Sequence, residues 1–145
     1  MSADTVRRLL ERRIPGARFT CADSRARRTD VTLQAEDVRN AVQAFCAEPG
    51  ARFMTLTAVD RGTDIDLLYH VSLRSGVVTL RVAIAKETSA IESIADLVPA
   101  AELVEKEVAE LFGVEFAGHP RAANLLLPAD WPVGDGTHGI GECYI

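Results

Sequence analysis

Hydrophobic positions at the start of the chain recur with helical spacing. Val6, Leu9, Leu10 and Ile14 share one stripe and arginines take the other side, which predicts an amphipathic helix over residues 4–14, stopped by Pro15-Gly16. Arg18 to Asp30 is polar and reads as loop or sheet edge, and Asp30 to Gln34 suits a short strand. A second helix is predicted from Glu36 to Glu48, where Val38, Ala41, Val42, Phe45 and Cys46 fall on one side before Pro49-Gly50. The period then changes to two. In residues 52–60, Phe53, Thr55, Thr57 and Val59 alternate with Met54, Leu56 and Ala58. In residues 64–73, Ile65, Leu67, Tyr69, Val71 and Leu73 alternate with Asp66, Leu68, His70 and Ser72, and Val77 to Ala85 continues the pattern. Three alternating runs joined by Arg61-Gly62-Thr63 and Ser75-Gly76 predict an antiparallel meander with one face buried under helices.

After Lys86 the pattern turns helical again. Ser89 to Leu97 reads as a weak helix, and Pro99 opens a stronger one that runs to about Phe112, with Gly113 as its C-terminal cap. On that helix Val104, Val108 and Leu111 form the apolar stripe, Glu105 lies on one flank, and Glu107 and Glu110 lie on the other. Beyond Gly113 periodicity is lost. The expected architecture is therefore an α+β body over residues 1–113, with an antiparallel or mixed sheet and helices packed on one face. Its residues 1–28 form a basic N-terminal helix and loop. Residues 114–145 are expected to form an extended, irregular C-terminal arm that docks on a partner.

Length and composition bound this picture. At 145 residues with 48% hydrophobic positions, the chain makes one ordinary domain with a real core. The formal net charge of −5 argues against nucleic acid as the main partner. The charge is unevenly spread: residues 1–28 hold eight arginines against Asp4, Glu11 and Asp23. That excess fits either a solvated basic helix face or a contact with something anionic. Apolar runs of only a few residues predict no membrane-spanning helix, and Val6-Arg7-Arg8-Leu9-Leu10-Glu11 interrupts any secretory signal. Cys21, Cys46 and Cys143 are odd in number and far apart, as expected in a reduced, cytoplasmic compartment.

Candidate chemistry is sparse. The glycine-rich phosphate loops and the nucleophile elbow of hydrolases are missing. His119, His138, Glu142 and Cys143 are competent metal ligands whose spacing matches no compact site. His70 is expected at a packing surface opposite Tyr69. Glu105, Glu107 and Glu110 could serve acid–base chemistry, line a docking edge that meets a partner's arginines, or border the domain's own core. Trp131, between Leu125-Leu126-Leu127-Pro128 and Pro132-Val133, is either an interface anchor or folds back on its own domain.

One stretch is more specific. Glu105-Lys106-Glu107-Val108-Ala109-Glu110-Leu111-Phe112-Gly113, then Phe116, Gly118-His119-Pro120, and then Leu125-Leu126-Leu127-Pro128-Ala129-Asp130-Trp131 resemble the signature of the thirty-kilodalton subunit (the C subunit) of NADH-quinone oxidoreductase, or complex I. That family includes subunits of membrane-bound energy-converting nickel–iron hydrogenases. Phe53 to Asp60 and Leu68-Tyr69-His70-Val71 also look like its strands, so the resemblance covers about residues 30 to 131. Lys106 stands where the family usually has Arg, Glu110 where it has Asp, and Ala123 and Asn124 where it has an Arg pair. These departures point to a divergent relative on the hydrogenase side.

The resemblance implies a non-catalytic structural subunit on the cytoplasmic side of the membrane, reaching the membrane only through the complex. It would clamp the large subunit holding the quinone or nickel–iron site, beside the small iron–sulfur subunit. No cofactor is implied in this chain; iron–sulfur clusters and a flavin or nickel–iron centre would sit in partners. The implied interface comprises Glu105, Glu107, Glu110, Leu111, Phe112, Gly113, Phe116, His119, Pro120, Leu127, Pro128, Asp130 and Trp131. The alternatives are a freestanding α+β enzyme using Glu107, Glu110 or His119, and a small regulatory module that binds through its sheet face.

Overall fold

Three long alternating runs with short turns can only pair as a meander, and they build the centre of the sheet. These are β3 (Arg52–Asp60), β4 (Asp64–Leu73) and β5 (Gly76–Ala85), paired antiparallel in sequence order. The computed structural model describes residues 1–120 together with Leu125 and Leu126. Ahead of the meander, β1 (Phe19–Arg25) and β2 (Arg28–Leu33) form a hairpin, and β2 joins β5 in parallel. The sheet is therefore mixed, with the order β1-β2-β5-β4-β3. The fold is α+β, as the pattern implied.

One face of this sheet carries the core. Val31, Leu67, Tyr69, Val71, Val78 and Leu80 are all fully buried there. Helix α1 (Ala3–Arg13), with Ser2 as its N-cap, buries Val6 and Leu10 on this face. Helix α2 (Val38–Cys46), entered through a tight turn at Ala35–Asp37, buries Val38, Ala41, Val42 and Phe45. Helix α3 (Ala101–Phe112) packs beside β3 and buries Ala101, Glu105 and Val108. The other sheet face is lined by Thr55, Thr57, Leu68, His70, Thr79 and Arg81, exposed or half-exposed.

The polar stretch after Arg18, expected as loop or sheet edge, is a paired edge hairpin. Its alternation is weak because an edge strand has little to bury beyond Phe19 and Cys21, which are only partly covered. In β3 the register slips between Phe53 and Thr55, where Phe53 faces Val71 and Thr55 faces His70. This bulge at Met54 puts Phe53 on the same face as Leu56 and Ala58, instead of with Thr55 and Thr57. Ser89 to Leu97 is not a helix. It forms β6 (Ala90–Glu92), paired in parallel with β7 (Glu115–Ala117), and then a turn in which Leu97 and Val98 donate to the Ile94 carbonyl. Ile91, Ile94 and Ala95 are all buried, and that spacing imitates a helix face. Finally, the segment after Gly113 starts as part of the body, because Val114 and Phe116 are buried in the core.

Candidate functional site

The sequence signature maps onto α3, its C-terminal turn and the strand that follows. α3 ends where Gly113 adopts a left-handed conformation (φ 71°) and donates to the Ala109 carbonyl. The chain then runs through β7 to His119, whose Nε2 donates to the Glu102 carbonyl at 3.0 Å and lies 3.8 Å from Glu105 Oε2. A second turn of chain is thereby tied back onto the start of α3.

Glu105 is the centre of this knot. Its spacing with Ala101 and Val108 turns it inward, not to the flank of the stripe, and it has no exposed surface. The carboxylate accepts from Ser93 Oγ at 2.5 Å and from the Ile94 backbone N–H at 2.8 Å. Burial pushes its pKa up first; the hydrogen bonds from Ile94 and Ser93 and the nearby His119 oppose this without cancelling it. The Tyr69 hydroxyl is buried without a hydrogen-bond partner among the described residues. Burial, and then the charge on Glu105, drive the Tyr69 pKa far up.

Arg39 on α2 holds the same turn from the other side. It donates to the Ser93 carbonyl at 2.8 Å and forks onto Asp96 at 2.7 and 2.6 Å. The hydrogen bond from Arg39 lowers the Asp96 pKa to about 2. Sequence reasoning missed Arg39 and Ser93, since their partners lie far away along the chain.

The other signature residues divide by position. Glu107 is exposed on the outer side of α3, and Glu110 is partly exposed beside it. Glu110 accepts from the backbone N–H groups of Leu125 and Leu126, the second at 2.8 Å, and so clasps the two leucines against α3. Leu126 is 62% exposed, Leu125 38% and Leu103 60%. Leu111 and Phe112 are half-buried, with Phe112 packed on the core; Phe116 is buried and Pro120 exposed. Leu127, Pro128, Asp130 and Trp131, like His138, Glu142 and Cys143, lie outside the described residues. Glu105 therefore presents no carboxylate at the surface, whereas Glu107 and Glu110 do. Glu105 is engaged by the Ser93 hydroxyl and the Ile94 N–H, and Glu110 by the N–H groups of Leu125 and Leu126. No cluster of three metal-ligating side chains occurs among the described residues. His70 lies opposite Tyr69, as expected, between Thr57 and Thr79, with Nδ1 3.1 Å from Thr79 Oγ1.

Comparison with known proteins gives a consistent picture. The family model described as the 30 Kd subunit of respiratory-chain NADH dehydrogenase matches residues 31–137. The chain is 41% identical over 85 residues to the C/D subunit of NADH-quinone oxidoreductase from Acidiphilium cryptum, covering 57% of this chain and 14% of that protein. It is 36% identical over 84 residues to the C subunit of the same enzyme from Acidothermus cellulolyticus, covering 54% of this chain and 44% of the relative. The match thus spans less than half the length of either relative. Among solved structures, a chain of the membrane-bound sulfane sulfur reductase, an archaeal respiratory membrane complex, superposes with a TM-score of 0.67 at 25% identity, over 92% of this chain and 78% of the other. The trypsin-resistant fragment of Nqo5 gives 0.66 at 22% identity, over 79% and 96%, and shares the fold.

Proposed function

The chain belongs to the 30 Kd subunit family of respiratory-chain NADH dehydrogenase, and from that premise we propose that it is a non-catalytic structural subunit of the peripheral, cytoplasmic arm of a membrane-associated redox complex. In this reading it clamps the large subunit that holds the quinone or nickel–iron site, next to the small iron–sulfur subunit. It supplies no redox group of its own; clusters and a flavin or nickel–iron centre belong to the partners. Rigid docking would fix the distances between those centres and keep water from the partner's site.

The observation that carries this reading is the division of labour around α3. The inward-facing polar groups Glu105, Ser93, Arg39 and His119 are spent on locking the chain to itself. The outward face offers Leu103, Glu107 and the Leu125–Leu126 pair held by Glu110. An acidic rim around exposed leucines suits a protein interface more than a substrate pocket. The departures from the signature at Lys106, Glu110, Ala123 and Asn124 favour the hydrogenase side of the family in this reading.

Isolation of the native assembly, with mass spectrometry and metal analysis, tests the proposal. Co-purification with a nickel-containing large subunit selects the hydrogenase branch, and a flavin-containing assembly selects the NADH branch. Recovery of the chain as a lone monomer, or turnover of a substrate by it alone, overturns the reading.

A further inference from the structure

A second surface lies on the open face of the sheet, at the end remote from the signature. Strand register places Arg52, Ser72, Val77, Arg28 and Arg25 opposite one another in one row across all five strands. Val71, Val78 and Thr29, their sequence neighbours, point into the core, so this row points outward. Arg25, Arg28 and Arg52 are exposed, and none has a carboxylate within ion-pair distance among the described residues. Arg61 and Arg81, by contrast, both bond to the buried Asp66 on the same face. Asp30 lies two positions from Arg28 on the same face, without an ion pair to it.

The row is held rigidly. The β1–β2 turn is locked onto the β4–β5 turn: the Arg27 carbonyl accepts from the Val77 N–H at 2.9 Å, and the Arg27 guanidinium donates to the Ser75 and Arg74 carbonyls at 3.3 Å each. With strands about 5 Å apart, Arg52 and Arg28 stand roughly 14 Å from each other, and Arg28 and Arg25 roughly 5 Å. A folded chain of net charge −5 that keeps three arginines unpaired in one line has a surface complementary to fixed negative charge.

The neighbouring groups select the kind of partner. No Phe, Tyr or Trp side chain lies on this face among the described residues, and the single imidazole there, His70, is half-buried between Thr57 and Thr79, which is a poor stacking platform for successive nucleic-acid bases. Met54, at the β3 bulge, is the sole large apolar side chain exposed beside the row among the described residues, too little for insertion into a membrane interface. The rows behind are lined with Thr55, Thr57 and Thr79, which can hydrogen-bond a peptide surface. Guanidinium forks match carboxylates in two-point geometry. We propose that this arginine row is a docking surface for a carboxylate-bearing face of another polypeptide. Arg25 and Arg28 lie outside the matched family region, which begins at residue 31, while Arg52 lies inside it.

The proposal stands apart from the assignment to a redox complex, and its test uses the full-length chain with a defined probe. The probe is a peptide of about twelve alternating glutamate and serine residues, titrated at low and high salt, a length that spans the row. Vesicles containing phosphatidylglycerol and a single-stranded oligothymidylate serve as competitors. Arg28→Glu with Arg52→Glu is expected to weaken peptide binding at least ~10-fold, about one decade of the association constant. Arg8→Glu with Arg12→Glu, the same change of charge placed on α1, is expected to leave it within about 3-fold. Arg28→Gln with Arg52→Gln repeats the test without charge reversal, and circular dichroism checks that each variant folds. Failure of the peptide to bind at low salt, equal weakening by the two pairs, or tighter binding of vesicles or oligonucleotide overturns the proposal. Co-purification, by contrast, decides the assignment to a redox complex.

Discussion

Glu105 offers the sharpest test of how the signature region works, because replacement by Gln and by Ala should give very different results. In Glu105→Ala the Ile94 N–H and the Ser93 hydroxyl, both buried, lose their acceptor. Each orphaned donor costs about 1–3 kcal/mol, and the truncated side chain leaves a void. Relief from holding a desolvated carboxylate offsets part of this, so the net loss is expected near ~3 kcal/mol. In Glu105→Gln the amide oxygen can still accept from Ile94 and its NH2 can donate to Ser93 Oγ, so the cost should stay within ~1 kcal/mol. The pH dependence adds a second readout. Burial is the main cause that lifts the Glu105 pKa above its ordinary 4.5; Asp96 adds slightly, and Ile94, Ser93 and His119 pull the other way. The folded chain thus holds this proton more tightly than the unfolded chain. That stabilisation is complete below the ordinary value and is lost as pH rises through the folded value. The stability of wild type relative to the Gln variant should therefore be greatest in acid and decline toward neutral pH. Urea unfolding followed by circular dichroism at several pH values measures both effects. A Gln variant as damaged as the Ala variant, or a difference that does not change with pH, would refute the reasoning.

Three further outcomes are expected. Gly76→Ala should destabilise the chain by about 3 kcal/mol in thermal unfolding, since overpacking and backbone strain each contribute about 1–3 kcal/mol; its Cβ would collide with the Arg27 carbonyl oxygen and stand 2.9 Å from the carbonyl carbon, at a backbone φ of 157°. Glu110→Ala should change stability by no more than about 0.5 kcal/mol, while speeding hydrogen exchange at the Leu125 and Leu126 amides, read by mass spectrometry. His70 should titrate below 6.5 by NMR, mainly through burial and then through the charge of Arg28. Arg28→Gln should raise that midpoint only in part. With a lowered folded value, the contribution of His70 to stability is complete above 6.5 and is lost as pH falls through the folded value.

How much of this could be read from the chain itself depends on the range of the interactions concerned. The meander was legible because alternation over β3, β4 and β5 is a local property, and short turns leave antiparallel pairing as the available outcome. The Gly113 cap and the stripes of α1 and α2 were legible for the same reason. The α3 signature was legible as a string of residues, but the role of each residue was not. Ala101, Glu105 and Val108 share a helix face by spacing alone. That a carboxylate there turns inward was decided by Ser93 and Ile94, which β6 carries into hydrogen-bond reach only because β7 pairs with it. The helix expected over Ser89 to Leu97 failed for a related reason: burial at Ile91, Ile94 and Ala95 mimics a helix, while the backbone groups find partners on β7 and α3. The sheet register likewise brought Arg25, Arg28 and Arg52 into one row from two separate stretches of chain, and strand pairing across that distance in sequence has no local signal. Local periodicity was therefore determined by the sequence alone, through sterics and the burial of apolar side chains. Which polar groups meet was decided by tertiary structure, because a hydrogen bond or an ion pair depends on positions that only the assembled sheet and helices bring together.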